Sequence, residues 1–190
     1  MERDERQLIE AACGGETAAF EALVRKYQQR LCTALTHLCG SYEEAEDVAQ
    51  EALVQAFLKL HTFTGSSAFY TWLYRIAINA AISRRRRRRP EVSVEDCRQV
   101  RGDQFPDGGE LPPQRLLREE RAAQIRCALG RLSEEYRAIL VLREIEGFAY
   151  DQIAEILGLP AGTVRSRLHR ARLQLKEQLD ALLGEAAGRG

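Results

Sequence analysis

The chain has 190 residues, 45% of them hydrophobic and 29% charged, and its formal net charge is zero. That length holds one large domain or two small ones, and the composition belongs to a globular protein with cores, not to a disordered or fibrous one. No apolar run approaches the roughly 18 residues of a membrane span, and the charged start MERDERQLIEAAC is unlike a signal peptide, so the expected place of action is the cytoplasm.

Residues 5–88 are nearly free of helix breakers. Phe20, Leu23, Val24, Tyr27, Leu31, Leu35 and Leu38 recur at helical spacing, and Ala45, Val48, Ala49, Ala52, Leu53, Ala56, Phe57 and Leu60 form a second such set. Gly40-Ser41 separates the two, with Ser41 and Glu44 placed as a capping box. Thr62 to Ser67 breaks the pattern, and a third helix is expected from about Ala68 to Arg88 with Leu73, Ile76, Ala77 and Ala80 inside. Pro90 stops it. From there to Pro113 the chain carries four prolines, three glycines and many acids, the composition of a linker. Periodicity returns from Leu116 to Leu132. Another helix follows Ser133 with Ile139, Leu140 and Leu142 inside, and Gly147 ends it. No strand pattern and no repeat is present. The expected fold is all-α: two small helical domains, 1–90 and 114–190, joined by a flexible linker, 91–113.

The zero net charge hides a segregation. Residues 1–60 hold 6 basic and 11 acidic side chains, residues 61–90 hold 7 and none, residues 91–135 hold 7 and 10, and residues 136–190 hold 8 and 7. Local basic regions amid acidic ones point to a selective nucleic-acid surface. The five cysteines form no CxxC pair, which fits a reducing compartment and excludes a disulfide framework. Cys32 and Cys39, seven apart, share a helical face with Leu35 and Leu38. With His37 they lack a fourth metal ligand, so they are read as small core residues, and no metal is expected.

The most informative stretch is YDQIAEILGLPAGTVRSRLHRARLQL, Tyr150 to Leu175. Two short helical patterns meet at Gly158-Leu159-Pro160, where Gly158 suits a left-handed helix end and Pro160 a helix start. Ile153, Ala154 and Leu157 are the expected inner side of the first helix. Val164, Leu168, Ala171 and Leu175 form the inner stripe of the second. Thr163, Arg165, Ser166, His169 and Arg172 then face outward without an acid among them. Arg167 and Arg170 lie off that line, where phosphate is the expected contact. This is the pattern of a helix-turn-helix whose second helix enters a DNA groove, where Arg matches guanine bidentately.

A second constellation is FTGSSAFYTWLYRIAINAAISRRRRRR, Phe63 to Arg89. Phe63, Phe69, Tyr70, Trp72 and Tyr74 are five of the chain's thirteen aromatic residues, 6 Phe, 6 Tyr and 1 Trp. Aromatics beside a basic run suit unstacked bases, although a core role for Trp72 fits the pattern equally well. Asn79 is polar in an apolar stretch, placed to hydrogen-bond locally or to read a base. Arg84 and Arg85 open a six-arginine run suited to phosphate.

These motifs, in this order, resemble those of a bacterial RNA polymerase sigma factor of the small, two-domain extracytoplasmic-function (ECF) group, over roughly Phe20 to Leu182. AEDVAQEALVQAFLKL (Ala45 to Leu60) is similar to the helix that docks on the polymerase clamp helices, which implies that Asp47, Gln50 and Glu51 face the polymerase core. FTGSSAFYTWLYRIAIN (Phe63 to Asn79) resembles the segment that melts and reads the −10 element. By that resemblance Gly65, Ser66, Ser67, Ala68 and Asn79 hold flipped bases, with Arg84 and Arg85 on phosphate. LSEEYRAILVLREIEGFAYDQIAEILGLPAGTVRSRLHRAR (Leu132 to Arg172) resembles the −35 reader, which implies DNA contacts from Thr163, Arg165, Ser166, His169, Arg170 and Arg172. The linker would thread the polymerase near the RNA exit path. The implied partners are RNA polymerase core, promoter DNA and, as for many members of the group, an anti-sigma factor.

No paired carboxylates, nucleophile–base set or phosphate-binding glycine loop is present, so neither enzymatic chemistry nor a cofactor is expected. The alternative from another class is a helix-turn-helix transcriptional regulator of the response-regulator type. It requires an N-terminal receiver or ligand domain, for which the chain shows no βα alternation.

Overall fold

The computed structural model describes residues 4–87 and 112–187, with side chains over 4–84 and 121–184. Among them are eight α-helices and no strand: α1 Glu5–Cys13, α2 Thr17–Cys39, α3 Tyr42–Lys59, α4 Phe69–Arg87, α5 Pro112–Gly130, α6 Glu134–Leu140, α7 Tyr150–Leu157 and α8 Ala161–Ala187. The expected linker lies almost wholly outside the described residues, as do the Arg85 side chain and the end of the arginine run.

The N-terminal unit, α1 to α4, is built on α2 and α3. Leu23, Leu31 and Leu35 of α2 meet Val48, Ala52 and Ala56 of α3, all fully buried. The small residues of α3 allow a close helix approach. Ser41 caps α3 as its sequence implied, its hydroxyl accepting from the Glu44 N–H at 3.2 Å. One element was not expected: α1 is a separate helix, ended at Gly14-Gly15, and it is tied to α2 by Glu5, which accepts from Tyr27 Oη at 2.6 Å and pairs with Lys26. Burial and the neighbouring Glu5 push the Tyr27 hydroxyl up to about 12.

The inner face of α4 also differs from expectation. Leu73 and Ala77 are buried as foreseen, but Tyr74, Ile78 and Ala81 join them, while Ile76 and Ala80 are only half-buried. The reason is that α4 is covered on two sides, by α2 and α3 and by α7 of the C-terminal unit. A helix buried on two faces has no single stripe for periodicity to reveal.

In the C-terminal unit, α6 starts at Ser133, whose hydroxyl accepts from the Tyr136 N–H at 3.4 Å. It continues as a wider π turn over Val141–Ile145, closed by the Glu146 N–H donating to the Val141 carbonyl at 3.0 Å. Then come α7 and α8. Val164, Leu168 and Ala171 are buried and Leu175 half-buried, the expected stripe. In α7, Ile153 is buried as expected, and Ile156 takes the second inner place instead of Leu157, which is half-buried.

The two units share one continuous core. Tyr70 and Tyr74 of α4 meet Phe148, with ring centroids 5.5 and 5.2 Å apart. The Glu146 carboxylate, only 3% exposed, accepts from Arg30 Nε at 2.8 Å and from Tyr70 Oη at 2.7 Å, while Arg30 Nη2 donates to the Glu146 carbonyl at 2.9 Å. Arg137 Nη1 donates to the Leu38 carbonyl at 2.9 Å.

Two consequences are measurable. Gly158 ends α7 at φ +63°, and a Cβ there meets nothing within 4 Å, so Gly158→Ala carries only the left-handed backbone penalty. Urea unfolding of that variant should show about 1–2 kcal/mol of lost stability. His37 sits on α2 with its buried Nδ1 lacking a hydrogen-bond partner among the described residues. Burial, aided by Arg126 and opposed by Glu146, lowers its pKa below the usual 6.5. Above 6.5 both states are neutral there; below it the unfolded chain takes up the proton first, so stability falls as the pH drops beneath 6.5. Thermal melts from pH 8 to about 5 should show this fall, reduced in His37→Gln.

Candidate nucleic-acid interface

The helix-turn-helix has the local structure its sequence dictates. Gly158 turns the chain, the Leu159 N–H returns to the Ala154 carbonyl at 2.9 Å, and Pro160 precedes α8 with its carbonyl accepting from Thr163 and Val164. At the start of α7, the Gln152 side chain accepts from the Ala149 N–H at 2.9 Å. The buried stripe of α8 then turns Arg165, Ser166, His169, Arg170 and Arg172 to solvent, with Thr163 half-buried at the helix start.

These arginines are not equivalent. Arg172 is held by Glu144, with its Nη2 and Nε at 2.6 and 3.0 Å from one carboxylate oxygen, and this partner raises its pKa further. Arg167, expected to lie on phosphate, is half-buried and pairs with Glu135 at 3.1 Å, which ties α8 to α6. The exposed edge without an acidic partner among the described residues is therefore Arg165, Ser166, His169 and Arg170, with Ser166 Oγ donating to the Thr163 carbonyl at 3.1 Å. A surface pair such as Arg172–Glu144 contributes only about 0–1 kcal/mol, so a phosphate competes for Arg172 readily.

The N-terminal unit has a groove of about 680 Å³ between α3 and α4. Trp72, Asn79 and Arg84 line it from α4, and Glu51, Gln55 and Lys59 from α3. Asn79 is exposed and Trp72 is 4% exposed, seated against Phe63 and Phe69 at ring-centroid distances of 5.4 and 5.6 Å. The aromatic run is thus mostly internal: Phe69, Tyr70, Trp72 and Tyr74 are buried, and of these Trp72 borders the groove. Physically, four large rings within six positions of one helix cannot all face solvent, and here they pack on one another. Gly65, Ser66 and Ala68 lie exposed in the loop before α4, with Ser67 half-buried, Gly65 at φ +73° and Thr64 Oγ1 at 3.2 Å from Ser66 Oγ. That loop does not line the groove.

Residues expected to serve different partners come together here. Asp47 and Glu51 lie along α3 toward α4, and Asp47 pairs with Arg84 at 2.7 Å. Gln50 is exposed on α3. Sequence reasoning missed three things: Gln55 and Lys59 in the groove, Arg75 on its rim, and the exposed apolar Val54 and Leu58, 61% and 66% accessible. Val54 and Leu58 continue the line of Asp47 and Gln50 at helical spacing, a signal that was legible as an apolar residue on an otherwise polar face.

A bipartite, all-helical DNA-binding protein with a C-terminal helix-turn-helix is the class that this fold and these faces define. Residues 23–91 match the family model of Sigma-70 region 2, and residues 122–175 that of Sigma-70, region 4. The chain is 42% identical to the RNA polymerase sigma-H factor of Pseudomonas aeruginosa, covering 97% of this chain and 98% of that protein. It is 37% identical to the ECF RNA polymerase sigma-E factor of Escherichia coli, covering 93% and 94%. Its fold is similar to that of CnrH, solved in complex with the cytosolic domain of CnrY, at a TM-score of 0.68 and 28% identity over 94% of this chain and 99% of the other. It is also similar to the sigma factor RpoE from Bartonella quintana, solved with the anti-sigma factor NepR, at a TM-score of 0.62 and 29% identity over 85% and 96%.

The chain belongs to the bacterial RNA polymerase sigma factors, in the ECF group. It supports promoter-directed transcription initiation by RNA polymerase. The response-regulator alternative is not favoured, since sigma region 2 occupies the place of a receiver or ligand domain.

Proposed function

We propose that residues 1–90 bind polymerase core and read the −10 element, that 114–190 read the −35 element, and that 91–113 connect them. The observation that carries this is the joint presence of a groove bordered by Trp72, Asn79 and Arg84 and, on a separate unit, an exposed ridge of Arg165, Ser166, His169 and Arg170. Beside the acidic Glu51, the groove carries an aromatic wall, Trp72, the amide of Asn79 and the basic Lys59, Arg75 and Arg84, groups that suit an extruded base and its phosphate. The ridge offers the fork geometry that duplex readout requires. Gly65, Ser66, Ser67 and Ala68, in the loop before α4, and Asn79 hold flipped bases of the −10 element, and Arg84 and Arg85 supply phosphate contacts.

Asp47, Gln50 and Glu51 face the polymerase, and Val54 and Leu58 add apolar area to the same helix. The bond-making chemistry stays with the polymerase; this chain positions it and is not itself an enzyme. It acts in the cytoplasm, where that polymerase works; no described helix is long and apolar enough to cross a membrane. Its likeness to sigma factor RpoE, solved with NepR, supports an anti-sigma factor as a further partner.

Reconstitution tests the whole reading: the purified chain added to core polymerase should yield transcripts from a genomic promoter pool, and failure both to bind core and to initiate would sink it. Two variants refine it. Arg165→Ala should weaken binding to −35 duplex by about 1–3 kcal/mol in a mobility-shift titration, and an unchanged footprint removes Arg165 from the reading set. Val54→Ser combined with Leu58→Ser removes exposed apolar area, so it should lower core affinity by about tenfold or more while leaving the melting temperature within about two degrees. Calorimetric titration against core checks the first part, and a thermal melt the second.

A further inference from the structure

We infer that α1 is a strut for the segment before α4: Glu5 holds the Tyr27 hydroxyl, and through that ring it sets the position of the loop 63–68 and of the Trp72 wall of the groove. Tyr27 is then a positioning residue two contacts away from any base. Its consequence for promoters rests on the −10 reading above; the strut itself does not.

The loop needs support from outside. Gly65, Ser66 and Ala68 lie exposed, and the bond from Thr64 Oγ1 to Ser66 Oγ joins two exposed side chains and fixes little. Its stems are defined. The Phe63 N–H donates to the Leu60 carbonyl at 3.0 Å, and the Trp72 N–H to the Ala68 carbonyl at 3.2 Å. Across the mouth of the loop Phe63 and Phe69 meet edge-on, with ring centroids 5.6 Å apart, and both lie against Trp72. These three rings clasp the loop shut, and one of them is the groove wall. The place of the loop therefore depends on what holds Phe69.

Tyr27 of α2 lies behind that ring. Its centroid is 6.0 Å from Phe69 and 5.0 Å from Tyr70. A ring packed by shape alone can slide, whereas a charge-assisted hydrogen bond at its tip fixes its depth. Glu5 supplies that bond, its Oε1 accepting from Tyr27 Oη at 2.6 Å, and Glu5 is itself paired with Lys26 on the same turn of α2. With its hydroxyl pushed up to about 12, Tyr27 remains a donor at neutral pH. A second route reaches the other stem. The end of α1 packs on the short 3-10 turn Leu60–Thr62, with Cys13 Sγ 3.8 Å from the Leu60 carbonyl, and Thr62 lines the groove. Ala12 is buried and Leu8 and Ile9 are half-buried, which seats α1 firmly enough to brace both stems.

Hydrogen exchange in the full free chain tests the strut without DNA or polymerase. Tyr27→Phe keeps the ring and loses the donor; Glu5→Ala loses the acceptor. In each, the Phe63 and Trp72 amides should exchange about tenfold faster, the effect of losing a hydrogen bond to a charged group, while α7 and α8 exchange as before. Emission of Trp72, the chain's one tryptophan, should move to the red in the same two variants. Glu5→Gln retains an oxygen for Tyr27 and should restore wild-type exchange. Unchanged stems, equally faster exchange in every helix, or a Glu5→Gln as loose as Glu5→Ala overturns the strut.

Holoenzyme then tests the consequence, on a promoter that the wild type selects from a genomic pool. Tyr27→Phe and Glu5→Ala should bind core as the wild type does, yet lose about threefold or more in affinity for single-stranded oligonucleotides of the −10 region, since fewer loops are poised to bind. Loosened stems with undiminished strand affinity overturn the role in reading. A wild-type holoenzyme that does not distinguish those strands from scrambled ones removes the −10 reading, and the exchange measurement still decides the strut.

Discussion

A single buried guanidinium sets where the two halves of this molecule can meet. Arg137 is 1% exposed, and its N–H groups donate to the carbonyls of Leu129, Gly130, Leu132 and Leu38 at 2.6 to 3.1 Å. No carboxylate among the described residues pairs with it. The charge is instead held by the carbonyl ends of two helices, α5 and α2, where unsatisfied oxygens and the helix dipole both favour a cation. Replacing Arg137 by an apolar residue strips these carbonyls of their donor, and buried unsatisfied acceptors are costly, so this position tolerates little change. The consequence is geometric: the last turns of α2 and α5 must converge on one point, which brings α6 and the π turn after it against α2.

That π turn then aims the next residues. Inserting one residue into the helical ladder at Val141–Ile145 rotates the chain beyond it, and Glu146 and Phe148 come to lie under Arg30, Tyr70 and Tyr74. Burial drives the hydroxyls of Tyr70 and Tyr74 far above their ordinary range, so both stay protonated, and Tyr70 is a permanent donor to Glu146. A polar centre ringed by aromatics is specific in register and weaker than an apolar interface of equal area, since its groups regain water on separation. Such a composition suits a contact that forms and breaks, and it differs in kind from the leucine and alanine packing between α2 and α3.

The elements of local origin were legible from the sequence. Ser41, Ser133, Gly147 and Gly158 each mark a helix boundary through backbone chemistry that needs no tertiary context, and the α8 stripe of Val164, Leu168 and Ala171 follows from spacing alone. What was hidden depends on partners distant in the chain. Arg30 and Glu146 are 116 residues apart, and nothing in either neighbourhood distinguishes them from solvated charges. The pairing of Arg167 was hidden too, because Glu135 lies in another helix. The aromatic run read as a base platform because its rings find one another only when α4 is packed on both sides. Trp72 illustrates why neither of its readings excluded the other: its ring is core to Phe63 and Phe69 and wall to the groove.

The same pairings explain how a chain with no net charge offers a usable surface to DNA. Acids within the C-terminal unit occupy Arg167 and Arg172, and Asp47 occupies Arg84, so most of the basic side chains described near the two faces already have a partner. Those pairs are exposed enough that a phosphate exchanges for a carboxylate at little net change in free energy. Non-specific attraction is therefore kept low, and the Arg165 and Arg170 side chains, which have no acidic partner among the described residues, stand out along the edge of α8. Affinity drawn from a few positioned groups and from a second site on the polymerase favours discrimination between sequences over tight binding to any of them. The segregation of charge along the chain is the sequence-level trace of that arrangement.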